Sequence, residues 1–247
     1  MSLKMPQKLL KSPLRETIFE IRFEPSTPAA GDLFPGLLYA SLKSDYPEVA
    51  SLPMANVPRA VREKNPDLLY QPSHSLRSNA ISVQIGDRGI SLHAMEYPGW
   101  TRYKEKLESR IESVRATGLA KRVERFSFKY VNLIESASSE KQLSLINMKV
   151  EVNGAFPIER GFHLRLEHDD EKCVTIVQLI PNSTGKILGS GKEVSGLLID
   201  VDTIRLDPGQ EFWTNPGVLL EEGHSVAKLR FFSLLTKSAL DKLEPVW

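Results

Sequence analysis

Apolar positions recur along the chain with two spacings, and the switches between them predict the elements. Residues 18–23, IFEIRF, set Phe19, Ile21 and Phe23 against Ile18, Glu20 and Arg22, the two-residue period of a strand with one buried face. Pro25 ends it. Beyond it, Phe34, Leu37 or Leu38, Ser41, Leu42 and Asp45 fall at helical spacing, with Asp32 as N-cap and Pro35 tolerated in the first turn. Prolines at 47, 53, 58, 66 and 72 interrupt every period, so 47–79 reads as an irregular excursion. Alternation returns in AISVQI and ISLHAM across Gly86-Asp87-Arg88-Gly89, a β-hairpin. Tyr97-Pro98-Gly99-Trp100 launches the clearest helix, with Tyr103, Leu107, Ile111, Val114 and Gly118 on one stripe. RVERFSFKYVNLIE then resumes period two, placing Phe126, Phe128, Tyr130 and Asn132 on one face.

The first half therefore reads β-α-β-β-α-β, the order of a ferredoxin-like domain. In the second half, FHLRLEH and KCVTIVQLI form a hairpin about Asp169-Asp170-Glu171, and GLLIDVDTIRL adds a strand. Asn215-Pro216 then opens a long helix whose stripe is Leu220, His224, Ala227, Phe231 and Leu234. The fold class is α+β, with antiparallel sheets and packed helices. A ferredoxin-like half spans 1–140, and a β-meander with a long helix spans 141–247; the two could equally be one continuous domain.

Charge narrows the partners. The chain has 247 residues with 32 basic against 31 acidic side chains, a net +1, so no global field favours nucleic acid or an anionic membrane. Cys173 is the one cysteine, which excludes an intramolecular disulfide and a Cys-based zinc site and suits the cytoplasm. The opening MSLKMPQKLLKSPLRE lacks the apolar core of a signal peptide, and no run approaches the roughly 18 apolar residues of a membrane span.

Three short motifs carry a resemblance: Pro13 and Glu16 in SPLRETIFEIRF, Tyr97, Pro98 and Trp100 in YPGW, and Arg125, Tyr130 and Asn132 in RFSFKYVNLIE. With the closing FFSLLTKSALDKLEP, they make the chain similar to a sporadically distributed family of uncharacterised prokaryotic proteins. The resemblance implies a bacterial type of protein and supplies no catalytic residues.

Several stretches contain residues suited to chemistry. TGKILGSGKE, 184–193, has the glycines and lysines of a phosphate loop in the wrong register: Lys186 stands where the first glycine belongs and Glu193 where Ser or Thr would hold magnesium. It reads as a solvated strand-to-strand loop, and no cofactor is implied. His224 could be a general base oriented by Glu221, three residues before it, or a hydrogen-bonded core residue. Asp200 and Asp202 share a strand face and could work as paired carboxylates, or simply be outward positions. In HLRLEH, His163 and His168 point to opposite faces, which excludes a metal pair there. Tyr97, Trp100, Tyr130 and Asn132 could line a ligand pocket, or hold a strand-to-helix corner. Eight basic residues between Arg102 and Arg125, interleaved with Glu105, Glu108, Glu112 and Glu124, read as a helix stabilised by ion pairs more than as a nucleic-acid surface.

The sequence thus points to a cytoplasmic, non-enzymatic binding or interaction protein, with a protein or small-molecule partner and no metal or membrane role. A hydrolase or transferase using His224 with Glu221, Asp200 or Asp202 is the alternative, and a nucleic-acid-associated accessory factor the third reading.

Overall fold

In the computed structural model, which describes residues 4–149, 162–186 and 191–247, the chain is a mixed α+β protein of antiparallel strands and packed helices. It runs β1 (Lys8–Leu9), β2 (Leu14–Pro25), α1 (Ala30–Leu42), β3 (Glu48–Ser51), a 3-10 turn (Pro53–Asn56), α2 (Arg59–Lys64) and β4 (Pro72–Ser78). Next come β5 (Ile81–Gly86), β6 (Gly89–Ala94), α3 (Trp100–Ala116), β7 (Ala120–Glu135), α4 (Ser139–Leu143) and β8 (Leu164–Asp170). The remainder is β9 (Cys173–Lys186), β10 (Glu193–Gly209), α5 (Glu211–Thr214), α6 (Pro216–Leu234), α7 (Lys237–Lys242) and β11 (Pro245–Val246).

These elements form two units. The central unit is Thr17–Phe128 with Ile204–Gly223; the terminal unit is Met1–Glu16, Lys129–Thr203 and His224–Trp247. The expected halves, 1–140 and 141–247, divide the chain differently, because β2, β7, β10 and α6 each pass from one unit into the other.

In the central unit the strand order is β3-β4-β5-β6-β2-β7. Within it β5-β6-β2-β7 is compatible with a ferredoxin-like arrangement, extended by β4 and β3. Register brings Phe19 opposite Leu92 and Ile21 opposite Ile90, with Val83 and Ile85 opposite the same two residues from β5. All six are buried, so the period-two pattern of each strand supplies one continuous apolar face. Tyr103, Leu107, Ile111 and Val114 are the buried positions of α3, as their spacing predicts. Gly99, at φ 92, is the residue before α3; a side chain there would be strained, which is why the corner contains glycine.

Two expectations are corrected. Helix α1 begins at Ala30, with Ala29 at the cap position and no side-chain cap bond. Asp32 lies instead in the first turn, where its charge suits the helix dipole, and pairs with Arg59 at 3.2 Å. Nor is 47–79 irregular: it holds β3, a 3-10 turn, α2 and β4, with Val49 opposite Leu76 and Ala50 opposite Ser75.

One ion pair accounts for that order. Arg62 donates from Nε to Asp87 Oδ2 at 2.8 Å and from a terminal nitrogen to Oδ1 at 2.9 Å, with both residues buried. Its other terminal nitrogen donates to the carbonyls of Met54 and Val57 at 3.2 and 2.7 Å. One planar fork thus ties α2 and the 3-10 turn to the β5–β6 turn. Gly31 makes room for it, since a Cβ there would stand 2.3 Å from Asp87 Oδ1.

In the terminal unit β7, β10, β9 and β8 are successive neighbours. β8 and β9 form the predicted hairpin, with Leu166 opposite Val177 and His168 opposite Thr175. Val177, Leu179, Leu197, Ile199 and Val201 are fully buried. β9 is longer than its apolar pattern predicts, so Thr184–Lys186 are strand and Glu193 opens β10. Residues 187–190 of TGKILGSGKE lie outside the described residues.

Asp87→Ala should lower the unfolding free energy by roughly 3–5 kcal/mol, because it strands a buried guanidinium. Arg62→Ala made in that background should cost far less than alone. Urea denaturation of the four proteins checks this; additive losses would mean that the pair is not coupled.

Candidate functional site

The aromatic residues named from the sequence are packing groups. Tyr97 meets Tyr103 edge-on with ring centroids 5.4 Å apart, and Trp100 meets Phe128 at 5.8 Å. Trp100 Nε1 donates to Glu221 Oε2 at 2.9 Å, and Lys104 donates to the same oxygen at 3.2 Å. Glu221 is thus held by an indole and an ammonium on α3. Burial, helped by the charge of Glu221, pushes the Tyr97 phenol well above its ordinary range.

In the terminal unit, the hydroxyl of Tyr130 lies 2.9 Å from Nδ1 of His224, which is half-buried on α6. Asn132 is buried and directs its amide to backbone, donating to the carbonyls of Tyr130 at 3.2 Å and Ile199 at 3.4 Å. It ties β7 to β10. The structure therefore brings the Tyr130 and His224 side chains together, with Asn132 spent on backbone, and gathers Trp100, Lys104 and Glu221 into a separate cluster.

Asp200 is not the solvated outward position that alternation suggests. It is 7% exposed, and its Oδ2 accepts from Gln178 at 3.0 Å and from Lys129 at 3.1 Å. His163 Nε2 lies 2.9 Å from Gln178 Oε1, so side chains from β7, β10 and β9 and from the residue preceding β8 form one polar row. Burial holds the Asp200 carboxyl above the ordinary aspartate value of 3.8, against the opposing pull of Lys129 and Gln178. Asp202 is half-buried two residues along β10. Among the described residues no group of three or more His, Cys, Asp or Glu could hold a metal ion, and no helix is long and apolar enough to cross a membrane.

A different region of the central unit contains an open groove. This groove of about 560 Å³ is walled by α3, by Ser78 and Ile81 where β4 turns into β5, and by Asp45 and Tyr46 just after α1. From α3 it receives Arg102, Glu105, Lys106, Ser109 and Arg110. Arg110 is fully engaged: it pairs with Asp45, donates to the Tyr46 hydroxyl at 3.3 Å and lies 5.1 Å over the Tyr46 ring. Arg102 and Lys106 are not engaged, having no acidic side chain within 4 Å among the described residues. The other basic residues of the stretch are neutralised: Lys104 by Glu221, Arg110 by Asp45, Arg115 by Glu112, Lys121 by Glu24, Arg122 by Asp207 and Arg125 by Glu20. Most of these partners come from other elements, not from i,i+4 neighbours as the sequence suggests.

The exception has a cost. Arg102 stands in the first turn of α3, which contains no acid, against a helix dipole that disfavours a cation there by about 0.3–1 kcal/mol. Lys106 follows four residues later, a like-charge spacing that costs about 0.2–0.5 kcal/mol. The basic helix is legible in the sequence and the groove is not. The legible signal was that in the 102, 106, 110 row each fourth residue is another cation.

An acid whose folded value is raised binds its proton more tightly when folded. Stability from Asp200 is therefore full below 3.8 and falls as pH rises from there to its folded value. Asp200→Asn should flatten the pH dependence of the urea midpoint across that window, whereas an unchanged slope would show that Asp200 is not its source. In comparison with known proteins, no family model matches the chain and no curated protein matches it.

Proposed function

We propose that the protein is a non-enzymatic binding module acting in the cytoplasm, and that its binding surface is the groove beside α3. One observation carries the reading: Arg102 and Lys106 face a groove of about 560 Å³ without acidic partners, while the other cations of the same stretch are neutralised. Ligand sites commonly measure roughly 300–1,000 Å³ and are lined mainly by apolar side chains; this groove matches them in size, while its lining is mostly charged and polar. Here Ile81 gives the apolar wall and Ser78 a hydroxyl, on a hairpin end that strand pairing holds in place.

The pairing of the remaining basic residues gives little support to a nucleic-acid surface, since a phosphate track needs cations not already spent on acids. The hydrolase or transferase reading has one observation in its favour, the Tyr130–His224 contact at 2.9 Å, because a phenol and an imidazole at that distance can share a proton. The bonds of Glu221 to Trp100 and Lys104 leave it serving α3. The prokaryotic family resemblance adds no activity to either reading.

A small-molecule screen by thermal shift tests the proposal. A ligand at a hundred times its Kd should add about 2.7 kcal/mol of stability to the wild type. Ser78→Trp, which fills the groove from its rim, should abolish that gain while the unliganded protein unfolds as before. Binders that stabilise Ser78→Trp and wild type equally would place binding elsewhere. Turnover that disappears in His224→Ala would favour the enzyme reading.

A further inference from the structure

The charge layout of the groove is uneven, and the unevenness defines a ligand. At one end the Arg110 guanidinium is spent on Asp45 and the Tyr46 hydroxyl. Toward the other end Arg102 and Lys106, one turn apart on α3, meet Glu105 as the acid on the same helix face, with no ion pair formed among the three. We infer that the groove takes the oxyanion end of its ligand, a carboxylate or a phosphate group, on Arg102 and Lys106. The inference rests on the groove being the binding surface.

Arg102 presents a planar fork of donors that matches two oxygens of a carboxylate or phosphate, and Lys106 adds a point charge one turn along. Glu105 between them disfavours a ligand that is anionic throughout. It favours one with a donor, a hydroxyl or an ammonium, next to the oxyanion. Across the groove Ser78 is half-buried and can donate or accept, while Ile81 receives the apolar part of the same molecule. The ligand is therefore a small polar molecule with one oxyanion end, a neighbouring donor and a short apolar body.

Nuclear magnetic resonance on the isotope-labelled full chain tests this with three probes at matched ionic strength: inorganic phosphate, 3-hydroxybutyrate and sodium chloride. Phosphate, 3-hydroxybutyrate or both should produce saturable shifts confined to residues 102–110 and 78–81. Which of the two saturates identifies the group. Arg102→Gln and Lys106→Gln should each weaken that binding roughly ten-fold, as losing a charge-assisted hydrogen bond does. Arg115→Gln, where the cation is neutralised by Glu112, should leave it unchanged. Equal shifts with chloride, or unaltered binding in the two groove variants, would overturn the inference. An uncharged ligand that still seats in the Arg102→Gln/Lys106→Gln double variant would overturn the oxyanion assignment and leave the binding role standing. Failure of Ser78→Trp to block any ligand would overturn the binding role itself.

Discussion

The buried pair between Arg62 and Asp87 is the constraint on which most of the central unit depends. Two charges withdrawn from water are costly, and that cost is offset only where the geometry is bidentate and the remaining donors find acceptors. Both conditions hold, since the fork closes on both oxygens of Asp87 and the spare nitrogen reaches two carbonyls. By fixing α2 and the 3-10 turn against the β5–β6 turn, the pair sets the course of the chain into β4. The end of β4 is a wall of the groove, so a structural charge pair indirectly shapes a surface that contains charges of another kind.

The same pair explains where the sequence was legible. The two-residue and helical periods located β2, the β5–β6 hairpin, α3 and β7, because in those elements each side chain declares which face it occupies. They failed over 47–79, where the prolines were read as forbidding structure. Pro53 begins a 3-10 turn and Pro58 precedes α2, so these prolines start short elements. What orders those elements is a contact between residues 62 and 87, which no local window of sequence displays. Asp32 was misplaced for a related reason: a residue suited to a cap also suits the first turn, and only geometry separates the two.

The candidate site was less legible than the fold. Arg102, Lys106 and Arg110 follow from one helical period, yet Asp45, Ser78 and Ile81 come from elements whose proximity arises only on folding. Trp100 and Tyr97 suit a ligand pocket or a strand-to-helix corner equally in sequence, and only the packing of their rings on Phe128 and Tyr103 decides for the corner. Asp200 was misread because alternation assumes one solvated face. In β10 Ile199, Asp200 and Val201 are all buried, so both faces of the strand are covered at that point.

The interleaving of the two units bears on how the protein can be made. The central unit needs Ile204–Gly223, which the ribosome adds only after the whole of Lys129–Thr203. Its first segment, Thr17–Phe128, must therefore wait in the cell without its last strand segment and the start of α6. A chain of this design cannot complete one unit before beginning the other, as tandem domains do during synthesis. Completing the central unit therefore waits on residues that are among the last to be synthesised.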